Sequence, residues 1–78
     1  MKYYISSGDL NNFETNAENP LIAIKEAINK GNPNHLSMIM IVAQTTDINS
    51  RLYLDTTLYY STISILKELG FNEKRKDN

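Results

Sequence analysis

Chemistry in this 78-residue chain, which has no cysteine, must come from hydroxyls, carboxylates, amines and a single imidazole. The densest cluster of such groups is Ser6-Ser7-Gly8-Asp9. A serine nucleophile of the elbow type needs Gly-x-Ser-x-Gly between a strand and a helix. A phosphate cradle needs a glycine-rich segment that enters a helix N-terminus, often with a lysine. Here the serine pair leads from one β-type stretch into another, and no base stands near it. The pattern predicts a hairpin turn in which Gly8 takes positive φ while Ser7 and Asp9 bond to backbone amides. His35, the only histidine, follows Asn32-Pro33-Asn34 with no carboxylate or nucleophile at a useful spacing, and is expected in an exposed loop. Asp9, Asp47 and Asp55 all fall near predicted turns. Hairpin ends that converge would offer a divalent cation or general acid–base site, but turn and helix-cap roles explain the three more simply. No catalytic residue, metal or cofactor is expected.

Charge narrows the partners. Eight Lys and Arg against nine Asp and Glu give a net charge of −1, which does not steer the chain toward a polyanion. A nucleic-acid reading would rest on Lys74, Arg75 and Lys76 in the tail, with Tyr4 and Tyr53 as stacking rings on an open sheet. A groove binder would show a broader positive stripe, so this is the alternative function. The longest wholly apolar run, Met38 to Ala43, is far short of the roughly 20 residues that span a membrane. Met-Lys-Tyr-Tyr-Ile-Ser-Ser-Gly carries one cation and no sustained apolar stretch, so no signal peptide is expected. A soluble cytoplasmic protein is the resulting expectation. A chain of this size buries only about 60–65% of its unfolded surface, which leaves a thin core and favours oligomers.

Six elements must position these groups. Residues 2 to 7, with Tyr3, Tyr4 and Ile5, read as a strand, and Leu10 to Thr15 as its more polar partner around Phe13. Asn19-Pro20 opens a helix, Asn19 as cap and Pro20 at the first turn. Leu21, Ile24, Ala27 and Ile28 give it one apolar face, Gly31 is expected as its left-handed terminator, and Pro33 prevents resumption. Leu36 to Gln44 reads as a central strand, and "RLYLD" at 51–55 as a strand pairing back on it. Asp55 or Thr56 then caps a second helix running to Leu69, with Leu58, Tyr59, Thr62, Ile63, Leu66 and Leu69 on its inner face. Gly70 ends it, and Phe71 sits where a Schellman motif returns to Leu66. The order predicts an α+β two-layer sandwich, ββαββα, with a four-stranded antiparallel sheet and both helices on one face. Residues 1–72 form the single domain and 73–78 a charged, frayed tail. The two halves share the order strand, turn, strand, cap, helix, glycine, as a duplication would.

The central strand carries the functional expectation. Its side chains alternate, Ile39, Ile41 and Ala43 on one side and Met38, Met40 and Val42 on the other. Helices on one face cover only one set. With Ile39 and Ile41 toward the helices, Met38, Met40 and Val42 join Tyr4 and Tyr53 on the open face. Met and Tyr are favoured at interfaces, so a symmetric homodimer pairing sheet face on sheet face is predicted.

Lys2-Tyr3-Tyr4-Ile5-Ser6-Ser7-Gly8-Asp9-Leu10 resembles the opening of a group of small accessory proteins encoded by tailed bacteriophages. Those open with Lys-Tyr-aromatic-aliphatic and then Ser-Gly-acidic-Leu. "ENPLIAIKEAI" is similar to their Asn-Pro-capped helix, and "ILKELGF" is weakly similar near the end. The likeness covers about half of the chain and carries over no site residues. It implies a phage or mobile-element protein in the host cytoplasm that binds and modulates a host protein.

Overall fold

The structure, a computed structural model, describes residues 1–45 and 56–71. Strand β1 (Lys2–Ser7) sends Tyr3, Ile5 and Ser7 inward by simple alternation. It returns through Gly8-Asp9 into β2 (Leu10–Asn16), whose Leu10 and Phe13 face the same side. Gly8 has φ +58° at the first turn position, as a II′-type hairpin requires. The β1–β2 register slips between Ile5 and Ser7, and Asn12 takes up the extra residue in the left-handed region at φ 53°. The Ser6 hydroxyl holds that bulge by accepting the Asn12 N–H at 2.9 Å.

Helix α1 (Pro20–Gly31) starts as its sequence dictates. The Asn19 side chain accepts the Ile22 N–H at 3.0 Å, and Pro20 occupies the first turn. Ala23, Ile24 and Ala27 are fully buried. The helix does not end on a left-handed Gly31. Asn32 adopts that conformation, at φ 46°, and its N–H returns to the Ile28 carbonyl at 2.9 Å. Gly31 is small for another reason: a Cβ there would meet Leu10 Cδ2 at 2.7 Å, where the helix end presses on β2.

Strand β3 (Ile39–Thr45) lies antiparallel to β1, and β4 (Thr56–Ser61) antiparallel to β3, giving the order β2-β1-β3-β4. Two strand–strand–helix units thus meet at the β1–β3 seam. Helix α2 (Thr62–Leu69) begins on the residue after β4, with the Ser61 hydroxyl accepting the Ser64 N–H at 3.4 Å. Residues 56–61 form a strand, whereas the sequence reading placed the start of the second helix there. Thr56-Thr57-Leu58-Tyr59-Tyr60 is β-branched and aromatic, and Ser61 displaces Asp55 or Thr56 as the cap. Gly70, at φ 85°, and Phe71 close α2 with N–H bonds to the Lys67 and Leu66 carbonyls, a Schellman ending. The strand predicted at 51–55 and the tail at 73–78 lie outside the described residues.

The fold is therefore the α+β sandwich, four antiparallel strands under two helices. Tyr3, Ile5, Met40 and Val42 from the sheet meet Ala23, Ile24, Ala27 and Ile65 from the helices in one core. That core fixes which sheet face is left open.

Candidate protein-binding face

The open face differs from the predicted one because β3 is turned over. Met40 and Val42 are both 0% exposed and belong to the core, so they are not interface residues. Ile39, 47% exposed, and Ile41, 38% exposed, occupy the helix-free side instead. The cause is register. Tyr4 pairs with Ala43 and Ile5 with Val42, so β3 residues opposite the inward side chains of β1 must also point inward. Met38 precedes β3 and is 79% exposed beside the start of α2, away from the face Met40 was expected to share with it. Tyr53 lies outside the described residues, as do Asp47, Asp55, Lys74, Arg75 and Lys76.

Tyr59, which sequence spacing places on the second helix, belongs to this surface. It pairs with Ile41 across β3–β4 and is 67% exposed. Ile39, Ile41 and Tyr59 form an uncharged apolar row, and Tyr4 stands half-buried on the same face one strand away. The polar part of the face lies over β1 and β2. There Lys2 Nζ meets Glu14 Oε2 at 3.1 Å. The hydrogen bond and charge of Glu14 raise the Lys2 pKa above its ordinary value. Among the described residues, Lys2 is the one cation on the strands of the sheet, and it is already paired.

Ser7-Gly8-Asp9 forms a clamp. The Ser7 hydroxyl is buried, donates to the Ile39 carbonyl at 2.9 Å and accepts the Ser37 N–H at 3.1 Å. The Gly8 N–H donates to Ser37 Oγ at 3.0 Å. Asp9 Oδ2 accepts the N–H groups of Asn34 and His35, each at 3.1 Å, while its own N–H donates to the His35 carbonyl at 2.8 Å. The hairpin tip is thus hydrogen-bonded along the connection from α1 to β3. His35 takes part through its backbone, and its side chain is exposed.

Nothing else among the described residues gathers reactive groups. Among the described residues, no three His, Cys, Asp or Glu side chains stand close enough to hold a metal. An open cavity of about 370 Å³ separates the 33–38 connection from the start of α2, with Leu36, Met38, Ile63 and Leu66 in its walls. Thr62 also lines it; its hydroxyl oxygen is buried and has no hydrogen-bond partner among the described residues. No helix among the described residues is long and apolar enough to cross a membrane. The chain matches no protein-family model, no curated protein and no solved structure.

Proposed function

We propose that the protein is a non-enzymatic binding protein that works as a homodimer and engages another protein through its helix-free sheet face. The observation that carries this reading is the row Ile39, Ile41 and Tyr59, apolar, uncharged and open to solvent on a domain whose core is built elsewhere. Contiguous apolar surface of this kind marks interaction sites, and tyrosine in particular joins a large apolar ring to a polar tip. The phage resemblance supplies a setting, the cytoplasm of an infected cell, and a role, modulation of a host protein by occupation of its surface.

Ile41→Asp tests the reading. The side chain is partly exposed and outside the core, so the change spares the core, and a charge at the centre of the row is expected to remove partner binding. Immobilised wild-type and variant protein are compared for what they retain from host extract. A protein held by both equally would refute the assignment of this face.

A further inference from the structure

The homodimer of the proposed function leaves open where two copies meet, and the backbone of β4 answers this. The Thr62 N–H donates to the Met38 carbonyl at 2.9 Å, and this pair extends the β3–β4 register by one step beyond Ile39 and Ser61. Residue pairs that exchange hydrogen bonds alternate with pairs that do not. Leu58 and Tyr60 therefore direct their N–H and C=O groups to β3, while Thr57, Tyr59 and Ser61 turn theirs to the outer edge. The opposite side of the sheet has the same phase: the Ala17 N–H donates to the Met1 carbonyl at 3.1 Å, one step beyond Lys2 and Asn16.

The two edges are treated differently. The β2 edge carries a bulge at Asn12 and a charge at Glu14, devices that blunt an edge against pairing. The β4 edge has no Pro, no charged residue and no bulge through six consecutive pairs. Among the described residues no strand lies beyond it.

We infer that two copies of the chain join edge to edge through antiparallel β4 strands, with the twofold axis at Tyr59. Residues opposite each other in an antiparallel pair share a face, so the axis must pass through a residue. At Tyr59 it engages all three outward residues: Tyr59 exchanges two bonds with its twin, and each Ser61 N–H donates to the other copy's Thr57 carbonyl. Moved one residue either way, it leaves Ser61 or Thr57 without a partner in the strand. The Tyr59 register also sets ring beside ring on the outer face and Leu58 beside Tyr60 on the inner, both favourable cross-strand pairs. β4 brings no like charges together, which suits a second copy. A face-to-face dimer would instead desolvate the Lys2–Glu14 pair. The edge dimer makes one eight-stranded sheet and joins two Ile39–Ile41–Tyr59 rows into a single band for the partner protein.

The first measurement is molar mass by light scattering across a hundredfold concentration range. A dimer is expected; a monomer throughout would overturn both this inference and the homodimer it rests on, while leaving the partner-binding face intact. Tyr59→Lys is expected to halve the mass, because two ammonium groups would meet on the axis, and Ile41→Asp to leave the dimer whole. Loss of the dimer in Ile41→Asp would overturn the edge geometry in favour of sheet faces and leave the homodimer standing. Engineered thiols supply a readout that does not depend on dissociation, in a chain with no cysteine of its own. Twin Cα atoms at 59 would lie about 5.5 Å apart, within disulfide range, whereas those at 57 would be four residues, roughly 13 Å, apart. Tyr59→Cys is expected to give a covalent dimer under mild oxidation and Thr57→Cys to give none; equal crosslinking, or none at 59, would overturn the register.

Discussion

Every functional statement above depends on which side of β3 is buried, and a pair of adjacent truncations tests this. Met40 is fully buried among Tyr3, Ile5, Ile24 and Val42 in one core cluster, whereas Ile41 stands on the open face. Met40→Ala removes buried atoms and leaves a cavity, which costs about 2–5 kcal/mol. Ile41→Ala removes a side chain that is already part-solvated, and costs about 1 kcal/mol through lost cross-strand contact and strand preference. A domain of this length has a total stability of about 4–12 kcal/mol at 0.05–0.15 kcal/mol per residue. Near 3 kcal/mol, the Met40 change would remove a quarter or more of that and lower Tm by roughly 12–24 °C, at about 4–8 °C per kcal/mol. Ile41→Ala should shift Tm by less than about 8 °C. Urea and thermal unfolding followed by circular dichroism separate the two. An Ile41 loss equal to or larger than the Met40 loss would show that the strand is inverted. It would also return Met38, Met40 and Val42 to the surface.

Ser7→Ala should cost about 1–3 kcal/mol in urea, because the Ser37 N–H and Ile39 carbonyl both lose their buried partner; a chemical role for that serine would leave stability unchanged. Gly8→Ala should cost more than about 2 kcal/mol, since φ is +58° and the new Cβ would clash with the His35 carbonyl oxygen. Burial pushes the Tyr3 phenol above its ordinary 10.0, and the charge of Tyr60 adds to the effect. The folded state therefore holds that proton more tightly than the unfolded chain. The resulting stability is intact below pH 10 and is lost as pH rises through the folded value; Tm from pH 8 to 12 should fall less steeply in Tyr3→Phe than in wild type. Retention on single-stranded DNA should be weak and confined to low salt, and a steep salt dependence with high affinity would favour the nucleic-acid alternative.

Where local chemistry decides a feature, the sequence was legible. Alternation in Tyr3-Tyr4-Ile5, the Asn19-Pro20 cap and the Gly70-Phe71 ending are each satisfied within a few residues of chain, and each stands in the structure as read. Where a distant neighbour decides, it was not. Met38 to Val42 is apolar on both sides, so its alternation holds no information about which side is inner. Thr56 to Ser61 suits a strand by residue type, yet its Leu and Tyr spacing also fits a helix face, and only pairing with β3 separates the two. Gly31 looked like a conformational glycine and is a packing glycine, because the atoms that exclude a Cβ belong to Leu10 and Phe13 on another element.

The serine cluster and the open face, which look unrelated in sequence, are one device. A slip of one residue between β1 and β3 would exchange the two faces of β3, placing Ile39 and Ile41 in the core and Met40 and Val42 outside. Hydrophobicity alone resists this slip weakly, since both sets are apolar and similar in bulk. Polar groups discriminate where apolar ones do not. Ser7, one of the few buried polar side chains, bonds to the Ser37 N–H and the Ile39 carbonyl, on either side of Met38, at the point where the chain enters β3. Shifted by one residue, those two groups would move off the hydroxyl and leave the buried Ser7 oxygen without partners, a penalty of about 1–3 kcal/mol that the correct register avoids. Gly8 and Asp9 reinforce the choice by holding Ser37, Asn34 and His35 through the same connection. The Ser7-Gly8-Asp9 turn thus helps to set the phase of β3, and that phase leaves Ile39 and Ile41 exposed on the open face.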